Sequence, residues 1–218
     1  MQEALEYLKK KFDLNLDQRR MPIEIPDVGR DDLVGWVGEL GFKTGVEVGV
    51  EYGLFSETIC KMNPQMKLYA VDPWKIYEGY RGYKKKDRVE RVYKYAKRRL
   101  DKLGNCEIIR EFSNLVAPRF EDESLDFIYI DGNHELPYLT QDLVSWVRKI
   151  RIGGIVAGHD YGKPKRFRSK IHTYYVVNMY AQAYNIRPWF ILGQRHASPG
   201  DIRDKSLSWM WVKTHNFC

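Results

Sequence analysis

The chain has 218 residues, 44% hydrophobic and 30% charged, with a net charge of +7. That size and balance fit one folded domain with a real core and exclude a disordered or fibrous chain. No apolar run approaches the roughly 20 residues that span a bilayer, and the N-terminal MQEALEYLKKKF lacks the apolar stretch of a secretion signal. The expectation is a cytoplasmic protein with no membrane partner. Cys60, Cys106 and Cys218 are an odd, scattered set without metal-ligand spacing, as expected of reduced thiols. The positive charge is clustered at Lys84–Lys86, Lys97–Arg99 and Lys163–Lys170 (KPKRFRSK). Such clusters are solvated faces or nucleic-acid docking surfaces, and no nucleic-acid motif accompanies them.

In chain order, Leu5, Leu8 and Phe12 have the spacing of an amphipathic helix, and residues 13 to 30, with two prolines, read as a connecting loop. Asp31 or Asp32 caps a second helix that runs to Leu40 and stops at Gly41. These first 40 residues form an N-terminal helical cap on a domain spanning 41–218. Gly45–Val50 is a short buried strand that passes through the turn Glu51-Tyr52-Gly53 into a helix ending near Lys61. Lys67–Asp72 is a second strand ending in an acid, and the aromatic, glycine-rich stretch 73–83 is a loop placed to act as a lid. A basic helix follows from about Lys85 to Leu103, then a strand at Cys106–Arg110 and a short helix at Ser113–Phe120.

Leu125–Ile130 is a fourth strand ending at Asp131, and Pro137 opens a helix carrying Leu139, Leu143, Val147 and Ile150 towards the core. Gly153-Gly154 turns into a fifth strand, Ile155–Gly158, which ends at His159-Asp160-Tyr161. A helix over about Ile171–Tyr184 and strands at Trp189–Leu192 and Leu207–Lys213 complete the pattern. The alternation predicts a Rossmann-like, doubly wound α/β fold: a mostly parallel seven-stranded sheet with helices on both faces. Such sheets bind ligands at the carboxyl ends of their strands, where Gly49, Asp72, Asp131 and Asp160 recur.

The glycine turn reads E-x-G-x-x-x-G, from Glu47 through Gly49 to Gly53, and lacks the third glycine of a dinucleotide fingerprint. Glu51 stands where a pyrophosphate would be repelled, which disfavours a dehydrogenase. A ligand with a cationic amine and no phosphate suits Glu47 better. S-adenosylmethionine offers an ammonium for Glu47, a carboxylate for the helix-start N–H groups and Ser56, and a ribose diol for Asp72, about 20 residues past the turn.

From Thr44 to Tyr161 the chain resembles a class I S-adenosylmethionine-dependent methyltransferase. EVGVEYGLFS is similar to that family's first motif and YAVDPW to its second-strand acid. DFIYIDGNHELPYLTQDLVSWVRKIRIGGIVAGHDY resembles the IDG-x-H … GG … DDY pattern of a branch with macrocin-type small-molecule O-methyltransferases. The resemblance implies that Glu47, Gly49, Gly53 and Ser56 hold the methionine end and Asp72 the ribose. It places Trp74, Phe112 and Ser113 at the adenine, with Asp131 completing the cofactor contacts. At the reacting end it implies a divalent metal, Mg²⁺ or Mn²⁺, on Asp131, His159 and Asp160. His159 stands where the branch often has Asp, and a nitrogen ligand favours Mn²⁺, Fe²⁺ or Zn²⁺ over Mg²⁺. Without a metal, His134 is the expected general base, with Asp131 and Asp160 beside it. The implied activity is O-methylation of a small molecule or sugar hydroxyl. The alternatives are a methyltransferase acting on RNA or protein, docked through the basic loop 163–170, and a non-catalytic S-adenosylmethionine-binding module.

Overall fold

The computed structural model describes residues 3–17, 19–77, 85–163, 170–194, 204 and 206–216. Its strands are β1 (Ile23–Ile25), β2 (Thr44–Val48), β3 (Lys67–Val71), β4 (Cys106–Ile109), β5 (Leu125–Ile130), β6 (Ile150–Tyr161), β7 (Phe190–Leu192) and β8 (Leu207–Val212). They form one sheet in the order β1-β7-β8-β6-β5-β2-β3-β4. All neighbours are parallel except β8, which runs antiparallel to both β6 and β7. The helices are α1 (Glu3–Phe12), α2 (Arg30–Glu39), α3 (Leu54–Met62), α4 (Lys86–Leu100), α5 (Ser113–Val116), α6 (Leu136–Trp146) and α7 (Thr173–Ala183). No helix among the described residues is long and apolar enough to cross a membrane.

Strand side chains alternate between the two faces of the sheet, and each face is apolar because each is covered. Val46, Val48, Ile128, Ile130, Val156, Trp209 and Trp211 point to one side, against Leu139, Leu143 and Trp146 of α6 and Val176, Val177 and Tyr180 of α7. Phe127, Tyr129, Ile155, Ala157, Met210 and Val212 point to the other, against Leu5 and Leu8 of α1, Leu33, Val34 and Val37 of α2, and Phe55 and Ile59 of α3. Val89, Val92, Ala96 and Leu100 of α4 close a smaller cluster over Ala70, Val50 and Trp74. This is the doubly wound arrangement that the strand–helix alternation predicts.

Three departures from the sequence-based expectation have physical reasons. The sheet has eight strands rather than seven, because Ile23–Ile25, expected to be loop, pairs in parallel with β7; three residues are too few for alternation to show. The helix expected to carry Ile150 ends at Trp146 and passes through a 3₁₀ turn at Val147–Lys149. Ile150 instead opens β6, which runs on through Gly153-Gly154 to Tyr161. Gly153 adopts φ +85°, so the glycine pair kinks a strand that it was expected to start.

Gly158 on β6 lies opposite Trp209 on β8. A Cβ there would stand 2.4 Å from Trp209 Cζ2 and 2.5 Å from the Ile130 carbonyl oxygen. Gly158→Ala should therefore cost about 1–3 kcal/mol or more in urea unfolding, as overpacking does. Gly104→Ala, where a Cβ meets nothing within 4 Å, should leave stability nearly unchanged.

Candidate active site

The chain winds outward in both directions from β2 and β5, so the loops after these strands part and leave a crevice at their carboxyl ends. A cavity of about 370 Å³ fills it. Gly49 makes the crevice possible. It has φ +90°, and a Cβ on it would lie 2.3 Å from the Asp131 carbonyl oxygen and 2.6 Å from Gly132 Cα. Only glycine lets the two loops approach so closely. Gly53, with φ +71°, sits at the start of α3 against Leu100 and the Ala96 Cα of α4; its lack of a side chain serves helix packing, and it does not line the cavity.

Asp72 ends up just past β3, nearly buried, and fastens the turn. Its Oδ2 accepts the N–H groups of Val50 at 3.0 Å and Glu51 at 3.1 Å, and its Oδ1 accepts that of Trp74 at 2.7 Å. Burial raises its pKa above the ordinary aspartate value, against these bonds. A carboxylate has about four lone-pair positions, so one remains for a ligand. Glu47 is buried in β2, where burial pushes its pKa well up and the Ser56 hydroxyl, which donates to it, pulls the other way. Ser56 is fully buried behind Glu47 and does not line the cavity.

The aromatic side of the cavity is Tyr77, Phe112 and Tyr138, with Tyr77 edge-on to the other two at 5.3 and 5.7 Å. Trp74 is instead buried under α4, donating its indole N–H to the Glu51 carbonyl oxygen at 2.9 Å. Ser113, at the start of α5, donates to Asp142 Oδ1 at 2.6 Å and accepts the Trp146 indole N–H at 2.7 Å.

At the other end, Asp131 follows β5 and Asp160 lies near the end of β6. Between Gly158 and Tyr161 the β6–β8 pairing slips: three steps along β6 match two along β8, from Trp209 to Leu207. The extra residue is a bulge, and Asp160 takes φ +56° within it. This turns its carboxylate to His134, whose Nε2 lies 2.9 Å from Asp160 Oδ2 and 3.6 Å from Asp131 Oδ1. Burial opposes charge on His134, but the Asp160 carboxylate outweighs it and the His134 pKa is raised. Burial likewise opposes charge on Asp160, and the His134 bond overcomes it, holding that carboxyl well below the usual range. Asp131 is raised by burial.

His159 has Nδ1 3.7 Å from Asp131 and 3.6 Å from Asp160, while its buried Nε2 has no hydrogen-bond partner. Among the described residues, the side chains whose ligand atoms fall within 4.8 Å of one another are Asp131, His134 and Asp160. That set of two carboxylates and an imidazole fits a divalent ion that accepts nitrogen, Mn²⁺ before Mg²⁺.

Sequence reasoning missed Arg30, Tyr77, Tyr138 and Asp142, all of which line the cavity. Asp142 left a signal, as the one acid on the apolar face Leu139, Leu143, Trp146. Arg30 left none, because it stands where a loop was expected. Of the basic clusters, Lys97 pairs with Asp101 and Arg99 with Glu57, and 164–169 of the basic loop lie outside the described residues.

Burial raises the Asp142 pKa from 3.8 to about 7, against the opposing effects of Ser113 and His134. The folded chain therefore holds a proton that the unfolded chain releases near pH 4. Stability should fall as pH rises from about 4 to about 7 and stay low above, a loss of up to about 4 kcal/mol. Asp142→Asn, which can still accept from Ser113, should raise the melting temperature at pH 8 and give no gain at pH 4; equal effects at both pH values would refute the assignment.

Comparison with known proteins agrees with the geometry. A family model described as a methyltransferase domain matches residues 46–161, more than half of the chain. No curated protein sequence matches. Among solved structures, an S-adenosylmethionine-dependent O-methyltransferase from Thermotoga maritima superposes with a TM-score of 0.58 at 11% identity, covering 92% of this chain and 69% of that one. An rRNA methylase from Streptococcus thermophilus gives 0.58 at 13% identity, covering 85% and 95%. An S-adenosylmethionine-dependent methyltransferase from Aquifex aeolicus gives 0.54 at 21% identity, covering 85% and 90%. At such identities these likenesses speak for the fold, while the family match extends over both motifs around the cavity: the chain belongs to the methyltransferase domain family.

Proposed function

We propose that this methyltransferase uses S-adenosylmethionine to methylate a hydroxyl of a small molecule or sugar. The observation that carries the cofactor reading is the charge of the cavity. Glu47, Glu51, Asp72, Asp131 and Asp142 all line it, a lining rich in acids and poor in cations, which offers a pyrophosphate little counter-charge and a sulfonium with an ammonium group several acceptors. In this reading Glu47 receives the ammonium, Asp72 the ribose hydroxyls, and Tyr77, Phe112 and Tyr138 flank the adenine, with Ser113 at its edge. Of residues 1–40, Arg30 at the start of α2 reaches the cavity. The unbridged thiols of Cys60 and Cys106 suit the reducing cytoplasm.

The cofactor supplies an activated methyl group, so the protein has to align the acceptor and remove its proton. In this reading His134, which lines the cavity, takes that proton. Its Nε2–H is engaged by Asp160, which leaves Nδ1 of the neutral ring as the base, with Asp160 stabilising the resulting imidazolium. A second reading rests on the same cluster. Asp131, His134 and Asp160 would hold a divalent ion, which would act as a Lewis acid towards the acceptor hydroxyl. Activity that survives exhaustive chelation leaves His134 as the base; activity lost on chelation and restored by Mn²⁺ assigns the cluster to the metal.

Calorimetry with S-adenosylmethionine tests the cofactor assignments. Gly49→Ala and Asp72→Ala should abolish binding, and unchanged affinity in Asp72→Ala would remove the ribose assignment. His134→Ala should bind the cofactor normally and lose about 10²- to 10⁴-fold in turnover. Because the base form of His134 appears only above its raised pKa, turnover at saturation should rise with pH through a midpoint above the ordinary histidine value. Asp160→Asn should move that midpoint down.

A further inference from the structure

The cavity is acidic on almost every side, yet one end of the proposed cofactor is an anion. S-adenosylmethionine carries an α-carboxylate beside its α-ammonium, and a site lined by carboxylates has to neutralise it. Of the helix-start N–H groups and the hydroxyl expected to do so, the hydroxyl is already committed, since Ser56 is buried behind Glu47 and donates its hydrogen bond to that side chain. Among the described residues that line the cavity, Arg30 is the one with a permanent positive charge.

Arg30 is built into this position from both ends. It is the first residue of α2, and its backbone N–H donates to Asp204 Oδ2 at 2.7 Å. The preceding Gly29 N–H donates to Asp32 Oδ2 at 2.8 Å, closing the first turn. The guanidinium lies over the Phe55 ring, 4.7 Å from its centroid, and Phe55 belongs to the first turn of α3, directly after the glycine loop. Stacking fixes the plane of a guanidinium and leaves its edge N–H groups to bond. The ion pair with Asp131 Oδ2 is long, 3.7 Å, and the side chain is about one-third exposed. A fork of five donors held, among the described residues, by one long ion pair has capacity for a second carboxylate.

We infer that Arg30 is the carboxylate anchor of the cofactor's methionine moiety, acting with Glu47 as a pair that reads the α-amino acid as a zwitterion. The assignment rests on the cofactor reading above and deepens it. It also gives the segment before β2 a chemical role, in which α2 delivers to the cavity the charge that the strands do not supply. Discrimination follows, because a ligand with the nucleoside and thioether but no carboxylate gains nothing from Arg30.

The test compares two ligands by calorimetry on wild-type protein, Arg30→Gln and Arg30→Lys. S-adenosylhomocysteine carries the carboxylate, and 5′-methylthioadenosine lacks the amino acid altogether. Arg30→Gln should weaken S-adenosylhomocysteine by about 10- to 100-fold, the range of a charge-assisted hydrogen bond, and leave 5′-methylthioadenosine unchanged. Arg30→Lys should recover part of the loss. Equal weakening of both ligands, or weakening of neither, overturns the anchor while the cofactor reading stands. Wild-type protein that binds neither ligand overturns both.

Discussion

The approach of Gly49 to the Asp131–Gly132 backbone is the constraint on which the site depends. At this point the two halves of the sheet turn away from each other, and the loops that follow β2 and β5 have to meet without filling the gap. A positive φ and the missing Cβ together allow it. Everything functional hangs from that contact. The glycine loop is fixed on one side by the Asp72 carboxylate, and on the other the Asp131 N–H donates to the Val48 carbonyl oxygen at 2.7 Å. Two rigid, hydrogen-bonded rims then present their side chains to one space.

The fold was legible in the sequence to the extent that its signals were long. Apolar strands of five or six residues, helices with a covered face, and glycines at strand ends identified the doubly wound sheet and its working edge. What escaped was short or depended on tertiary contact. β1 has three residues and is a strand only because β7 lies beside it. Ile150 has helical spacing from Leu143 and Val147, yet the chain breaks into 3₁₀ form before reaching it. For the site, sequence identified the residues at strand ends, since topology alone brings Glu47, Gly49, Asp72 and Asp131 to one crevice. It could not tell which aromatic of the loop after β3 turns inward: Tyr77 lines the cavity, whereas Trp74 packs beneath α4. Nor could it show that both His134 and His159 reach the Asp131 and Asp160 carboxylates, because that depends on a bulge.

The electrostatics of the cavity work against the folded chain on its own. Burial raises Glu47, Asp72, Asp131 and Asp142 together, so ionising the site is unfavourable until a cationic ligand compensates it. The two ends differ in how they offset it. Backbone N–H groups satisfy Asp72, and hydroxyl groups satisfy Glu47 and Asp142. Asp160 has an imidazole, which alone among these partners can change its charge near neutral pH.

The bulge at His159-Asp160 sets sheet regularity against the contact between Asp160 and His134. A regular strand offers its side chains only two directions, and neither would bring the Asp160 carboxylate to His134. The extra residue opens a third direction, and it leaves a left-handed aspartate and a gap in the β6–β8 ladder. A lineage selected only for robustness would lose that residue, gaining a continuous ladder and a more stable protein with no chemistry at its rim. Under the proposed role of His134, this irregularity is the feature to seek in other members of the family.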